Sequence, residues 1–176
     1  MQTMRLMLGS EKVDKSIEES ISILTENPDI YTNVNVVWER FGKAYGALFS
    51  LLSYVPVTRD YLYQGFLEQL EDNVQYMEFR TVLPNLCPKM GNCENPTTQI
   101  ETAKIFKEVA ENFLDDYSND FCGLRMIFAP SRYASKSTLD EYLDTAFMLR
   151  KELGDFMAGF DLVGKLWSGS KFSGIG

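Results

Sequence analysis

Glu78 and Arg80 stand two apart in "VQYMEFRTVLP", and on an extended strand two apart means one face. A carboxylate beside a guanidinium at a strand's end can bind a polar ligand or hold a catalytic group. The same spacing also gives a plain ion pair in the mouth of a sheet, and taken alone it favours that plainer reading. Asp161 raises a sharper demand. A charge inside the apolar run "AGFDLVG" is costly unless it is paired, and the end of a parallel strand is where α/β folds place their sites. The 176 residues contain no histidine. That rules out a Ser-His-Asp triad, a histidine-based zinc centre and an imidazole general base within this chain. Its own chemistry must use carboxylates, Lys, Tyr or thiols.

The three cysteines are Cys87, Cys93 and Cys122. Cys87 and Cys93 bracket "CPKMGNC", whose Pro and Gly let a short loop close as a disulfide or carry two free thiols. Zinc is the poorer assignment, because two thiolates need two further soft or imidazole ligands. The aromatic residues Trp38, Phe41 and Tyr45 recur with Leu48 at helical spacing, a pattern that most often marks a core stripe. The closing "GSKFSGIG" lacks the GxGxxG spacing and never places Gly-Lys-Ser/Thr in order, so no phosphate loop is expected there.

These residues need elements to position them. "EKVDKSIEESISILTEN" repeats Val13, Ile17, Ile21 and Leu24 at helical spacing, with Pro28 as its stop. A second helix follows, with Asn35 as its cap and Pro56 as its end. A third begins at Thr58 and buries Tyr61, Phe66 and Leu70. After Asp72 and Asn73 the period shortens to two, and Tyr76, Glu78 and Arg80 face away from Met77, Phe79 and Thr81. A loop over 84–96 leads to a helix opened by Thr98-x-x-Glu101, a capping box, and carried by Ile100, Ala103, Phe106, Val109 and Phe113. "FCGLRMIFAP" is a second strand. Ser137 or Thr138 caps the next helix, which turns Leu139, Leu143, Ala146 and Leu153 inward and stops at Gly154. "FMAGFDLVG" is a third strand, apolar enough to be covered on both faces.

Strand, helix, strand, helix, strand with no hairpin signal predicts parallel crossovers. Three parallel strands neither close a barrel nor protect their last edge, so the architecture looks unfinished at Gly164. The bulk properties agree with a packed domain. At 45% hydrophobic and 24% charged the chain is globular in composition, and a formal charge of −8 argues against a polyphosphate partner. No apolar run approaches the roughly 20 residues that cross a bilayer, and "MQTMRLMLGSEKVDK" has no stretch of signal-peptide character. No nucleic acid and no membrane are expected as partners.

Three separated blocks, "NVNVVWERF", "VPVTRDYLYQGFLEQLEDNVQYMEFRTVLP" and "MAGFDLVG", resemble the adenosine deaminase-related growth factors, the secreted deaminases that include the vertebrate type 2 enzyme. The resemblance runs from about Ile23 to Gly164 and keeps the family's block order and spacing. It implies an α/β fold that is part of a (β/α)8 TIM-type barrel, with strands two to four preceded by three helices. Residues 1–164 would be a partial catalytic domain and 165–176 a divergent Gly/Ser-rich tail. It further implies hydrolysis of adenosine to inosine and ammonia by a zinc-bound hydroxide, outside the cell. Trp38, Phe41 and Tyr45 would line the substrate pocket, part lid and part core. The backbone of Gly164 would meet the purine, at a place where a Cβ would occupy the base's position.

The departures from the family pattern set expectations of their own. The family's His-x-His zinc pair would precede Met1, and its His-Ala-Gly-Glu strand, with the proton-donating Glu, would follow Gly164. Ser131 stands where many members carry a substrate-contacting His. Catalytic zinc needs about three protein ligands, so this chain alone is expected to bind no zinc and to show no deaminase activity. The alternative is a non-catalytic protein that binds nucleosides or a partner surface and covers its open edge, for instance as a homodimer. Secretion rests on the resemblance alone, since Asn95 is followed by Pro and no Asn-x-Ser/Thr site occurs.

Overall fold

The structure is a computed structural model that describes residues 9–89 and 93–164. The Gly/Ser-rich tail, with the segment read as no phosphate loop, lies outside the described residues. The elements are α1 (Ser10–Ile21), α2 (Val34–Leu51), α3 (Val55–Glu71), β1 (Tyr76–Thr81), α4 (Gln99–Asp116), β2 (Gly123–Phe128), α5 (Lys136–Leu153) and β3 (Met157–Phe160), with short 3-10 turns at Pro28–Ile30 and Gly154–Phe156. Among the described residues no helix is long and apolar enough to cross a membrane.

Each helix begins where a side chain can take up the amides of its first turn. Asn33, in extended backbone, accepts from the amides of Asn35 and Val36, so the cap lies two residues before the expected Asn35. Asn35 is itself one of the capped residues. Pro56 does not end α2, which stops at Leu51; it sits in the first turn of α3, where no N–H is needed. That helix therefore starts at Val55 and not at Thr58. The buried Thr58 hydroxyl instead donates to the Leu52 carbonyl at 2.6 Å and stitches α3 to the end of α2. At the N-terminal side, α1 ends at Ile21 and leaves the exposed Leu24 outside the helix its spacing suggested.

The capping box of α4 is complete: the Thr98 hydroxyl accepts from the Glu101 amide, and the Glu101 carboxylate accepts from the Thr98 amide at 2.7 Å. For α5 the cap is Ser135, whose Oγ accepts from the Thr138 amide at 3.2 Å; Ser137 and Thr138 lie inside the helix or next to its start. Its buried residues are Leu149 and Leu153, with Tyr142 and Ala146 packed beside the core, while Leu143 faces out. Gly154 ends α5 as expected, at φ 60°, a backbone region that glycine enters without cost.

The three strands form one parallel sheet in the order β1-β2-β3, with Tyr76 opposite Gly123, Thr81 opposite Phe128, and Phe128 opposite Phe160. Parallel pairing needs a crossover, and α4 and α5 supply the two. On one face of the sheet Phe79, Leu124, Met126 and Phe128 meet Phe66 of α3, Phe106 and Phe113 of α4, and Leu149 of α5. Phe113 is fully buried with the rings of Tyr63, Phe66, Tyr117 and Phe121 around it at centroid distances of 4.9 to 5.7 Å. The other face carries Tyr76, Glu78, Arg80 and Arg125 and is exposed. β3 is shorter and less covered than its composition predicted. The continuous ladder ends at Phe160 and only Met157 is buried, because β3 is an edge strand.

Cys87 and Cys93 form a disulfide with Cα atoms 4.8 Å apart, which decides between the two readings of that loop. Cys122 is free and exposed. The Cys87 amide donates to the Ser53 carbonyl at 2.6 Å and the Val55 amide to the Cys87 carbonyl at 3.1 Å, so the loop after β1 is tied to the α2–α3 junction. Tyr61, expected to be buried, is exposed beside that junction.

Candidate functional site

Parallel strands point their carbonyl ends the same way, and the connections leaving those ends build the surface that ligands meet. Here that end of the sheet opens into a cavity of about 380 Å³. Phe79 to Val82 at the end of β1, Ala129 after β2 and Val163 after β3 form its floor, and Tyr45 and Phe49 of α2 with Thr58 and Tyr61 of α3 form its wall. The volume lies within the range of sites that hold a small organic ligand. Most of the lining is apolar, and Arg80 is its one charged member among the described residues.

The aromatic stripe of α2 runs into this cavity from outside. Ring centroids are 5.5 Å apart for Trp38 and Phe41, 6.0 Å for Phe41 and Tyr45, and 5.8 Å for Tyr45 and Phe49. Core packing, the reading its spacing favoured, does not describe it: Trp38, Phe41 and Tyr45 are 41%, 44% and 47% exposed. Of the three, Tyr45 lines the cavity. Trp38 and Phe41 continue the row of rings away from it along the helix.

Glu78 and Arg80 do not pair with each other. The Tyr76 hydroxyl donates to Glu78 at 2.7 Å, and Arg80 Nε donates to Asp161 Oδ2 at 2.8 Å. Residues two apart on one strand are separated by about 6.6 Å of backbone rise. Asp161 sits across the end of β2, and that position brings it closer to the guanidinium. Its other oxygen, Oδ1, accepts from the Leu162 amide at 2.7 Å. The Leu162 amide and then the Arg80 guanidinium hold the Asp161 carboxyl below its ordinary range, with Arg132 adding a weaker pull.

The turn after β3 is fastened from a second side. Arg132 Nη2 donates to the Leu162 carbonyl at 2.6 Å, its amide to the Val163 carbonyl at 2.9 Å, and the Val163 amide to the Pro130 carbonyl at 2.9 Å. Arg132 Nε is shut off from solvent with no hydrogen-bond partner. Ser131 pairs with Val163 in an isolated parallel bridge. Gly164 has φ 141°, and a Cβ there would stand 2.8 Å from Cε2 of Tyr133 and 3.2 Å from Cγ of Arg132. Glycine is thus required by the fold of the turn itself.

Sequence reasoning identified Arg80 and Asp161 separately and missed that they are partners. The cost of an unpaired Asp161 was the available signal. It named the need for a cation and left open which one. Thr58 and Tyr61 carried no signal as cavity residues, because their place depends on how α2 and α3 meet.

A catalytic zinc does not fit the donor set of this chain. There is no histidine in the sequence, Cys87 and Cys93 are bonded to each other, and Asp161 has both oxygens engaged. Among the described residues no three His, Cys, Asp or Glu side chains gather as a metal site.

A parallel sheet with helical crossovers and a ligand-sized cavity at the strands' carbonyl ends places the chain in the α/β class whose sites lie at that end. No family model matches the chain. Individual relatives do. Adenosine deaminase of Aedes albopictus is 34% identical over 162 residues, 92% of this chain and 30% of that protein. Adenosine deaminase 2-A of Danio rerio is 34% identical over 158 residues, 89% of this chain and 31% of that protein. Adenosine deaminase 2 of Homo sapiens is 34% identical over 152 residues, 86% of this chain and 29% of that protein. Over the span it shares with them the chain is homologous to the adenosine deaminases, type 2 enzymes among them. It spans about three-tenths of the length of these relatives.

Proposed function

We propose that this chain forms one wall of the adenosine site of a zinc-dependent (β/α)8 deaminase, with β1, β2 and β3 as its second, third and fourth barrel strands. The observation that carries the reading is the cavity at the carbonyl ends of β1 and β2, in a chain that aligns over nine-tenths of its length with proteins named adenosine deaminase. A mostly apolar cavity, with Arg80 as its one charged member among the described residues, suits a flat heteroaromatic base, which gains from burial against Tyr45, Phe49 and Phe79. On the substrate side stand Trp38, Phe41, Tyr45 and Gly164. The row of rings leads a base toward Tyr45, and Gly164 offers backbone free of a side chain.

Zinc would supply the activated water for attack on the purine ring, and its ligands must come from residues other than those of this chain. What the chain's own residues do is bind, orient and exclude water. In this reading the 176-residue chain binds adenosine and does not hydrolyse it, and the complete deaminase acts outside the cell, in agreement with the Cys87–Cys93 disulfide, which persists in oxidising surroundings.

The test uses the purified chain in two assays. Adenosine titrated into it is expected to perturb Trp38 and Tyr45 signals saturably, and inosine production is expected to stay at the blank. Conversion to inosine that is lost on chelation sinks the claim of inactivity. Absence of any saturable adenosine response, in a chain that gives a folded spectrum, sinks the binding claim. A homodimer covering the β3 edge would show as doubled mass in sedimentation.

A further inference from the structure

The turn that follows β3 is held from two directions: by the loop after β2, and by a residue on a strand that β3 does not touch. β1 and β3 are separated by β2, yet Arg80 at the end of β1 reaches across to Asp161, and Asp161 in turn fixes the Leu162 amide. Arg132, from the loop after β2, fixes the Leu162 carbonyl and, through its own amide, the Val163 carbonyl. We propose that Arg80 is a positioning residue: by holding the Asp161 carboxylate across the end of β2, it sets the backbone of the 161–164 turn that closes the cavity at Val163.

One observation separates this from an ordinary surface ion pair: the second oxygen of the carboxylate is engaged as well. The side chains of Arg80 and Asp161 are 60% and 45% exposed, so the pair adds little to global stability. Its effect is local, because the carboxylate is bidentate in function: one oxygen faces the guanidinium and the other caps an amide of the turn. Loss of the guanidinium frees the carboxylate to rotate and releases the cap. The groups facing Asp161 are Arg80 from β1, Arg132 from the loop after β2, the Leu162 amide from its own segment, and the Phe128 carbonyl, which accepts from the Asp161 amide at 2.9 Å.

The experiment is a nuclear magnetic resonance pH titration of the full 176-residue chain, following the Asp161 carboxylate, the Leu162 and Gly164 amides, and hydrogen exchange at Leu162. In Arg80→Met the Asp161 midpoint rises toward the ordinary carboxylate value, Leu162 exchange speeds up a few-fold, and the Gly164 amide shifts. Arg80→Lys restores part of the midpoint. Asp161→Asn removes the titration and moves the Gly164 amide in the same direction, and the double variant is no worse than either single one, since both sever one link. An unmoved Asp161 midpoint and Leu162 exchange rate in Arg80→Met overturns the proposal, as does a double variant whose effects add. If Arg80→Met does not fold, Asp161→Asn alone reads the same Gly164 amide, and an unshifted amide there overturns it.

The consequence for ligand rests on the adenosine reading and is measured separately. Asp161→Asn is expected to weaken adenosine binding several-fold with little change in melting temperature. Wild-type binding that Asp161→Asn leaves unchanged overturns the link from turn to cavity while the adenosine reading stands. A wild-type chain with the expected amide behaviour and no adenosine response keeps the brace and removes the adenosine reading.

Discussion

Titration behaviour at single residues follows from who donates to whom. The carboxyls of Asp161, Glu101, Glu108 and Glu152 are held below their ordinary range, by the Leu162 amide and Arg80, by the Thr98 amide and hydroxyl, by Arg59 and by Lys104 respectively. A carboxyl whose folded pKa is depressed contributes stability that is complete above the unfolded value and is lost as pH falls through the folded one. Urea midpoints are therefore expected to be level at neutral pH and to fall below the ordinary carboxylate range. Tyr63 has the opposite sign. Its hydroxyl donates to Asp116 at 2.6 Å, and the negative acceptor pushes its pKa from 10.0 up to about 12. That contribution is present below 10.0 and is lost as pH rises through about 12. In a near-ultraviolet alkaline titration, Asp116→Asn is expected to bring one late tyrosine back to the ordinary range. Gly164→Ala forces a Cβ against Tyr133 at φ 141°, a strain of about 1–3 kcal/mol. A denaturation midpoint equal to wild type would show that the turn relaxes instead. At this scale the alternation of Glu78 and Arg80 on one face was legible, because period two is a backbone property. Their partners were not, because pairing across β2 depends on register.

Among the elements, α4 was the most legible and α5 less so, for a local reason. Thr98-x-x-Glu101 closes on itself and needs nothing distant, so sequence alone names the cap. Thr98→Ala is expected to lower stability by about 0.5–2 kcal/mol in urea unfolding. At the start of α5, the hydroxyls of Ser137 and Thr138 lie 2.8 and 2.9 Å from that of Ser135, and residue type cannot choose between them. Backbone extension at Ser135 makes the choice. The inward seam of α5 moved for a tertiary reason: Leu149 and Tyr142 meet the core, and Leu143 does not. β3 was overestimated because an apolar run reports the coverage a strand wants and not the neighbour it has. Phe113 shows how much one well-placed residue of α4 carries. Replacing it with Ala opens a hole among the rings of four neighbours, and the expected loss is about 3–5 kcal/mol, read from the same urea curves.

For the molecule as a whole, the sheet has two unpaired edges, β1 and β3, and α5 carries an exposed apolar patch. Phe147 is 75% exposed, with Leu143 and Met148 near it on the same helix. Exposed apolar surface and unpaired strand edges each promote association. Phe147→Lys is expected to reduce light scattering at a given concentration while changing unfolding free energy by less than about 0.5 kcal/mol. Equal scattering in the two proteins would place the sticky surface elsewhere. The parallel βαβαβ order was legible in the absence of hairpin signals. The cavity was not, since it arises where α2 and α3 meet the sheet, and nothing in the linear pattern records that junction.

The sheet order β1-β2-β3 repeats the order of the chain. Every strand pairs with the one made just before it, so during synthesis no edge waits for a distant partner. Each helix-strand unit can dock as it leaves the ribosome, with α4 closing over β1 before β3 exists. Ribosome-bound chains stalled after Asp116, after Phe128 and after Phe160 are expected to gain protease resistance in steps. A single late step would mean that the sheet assembles all at once.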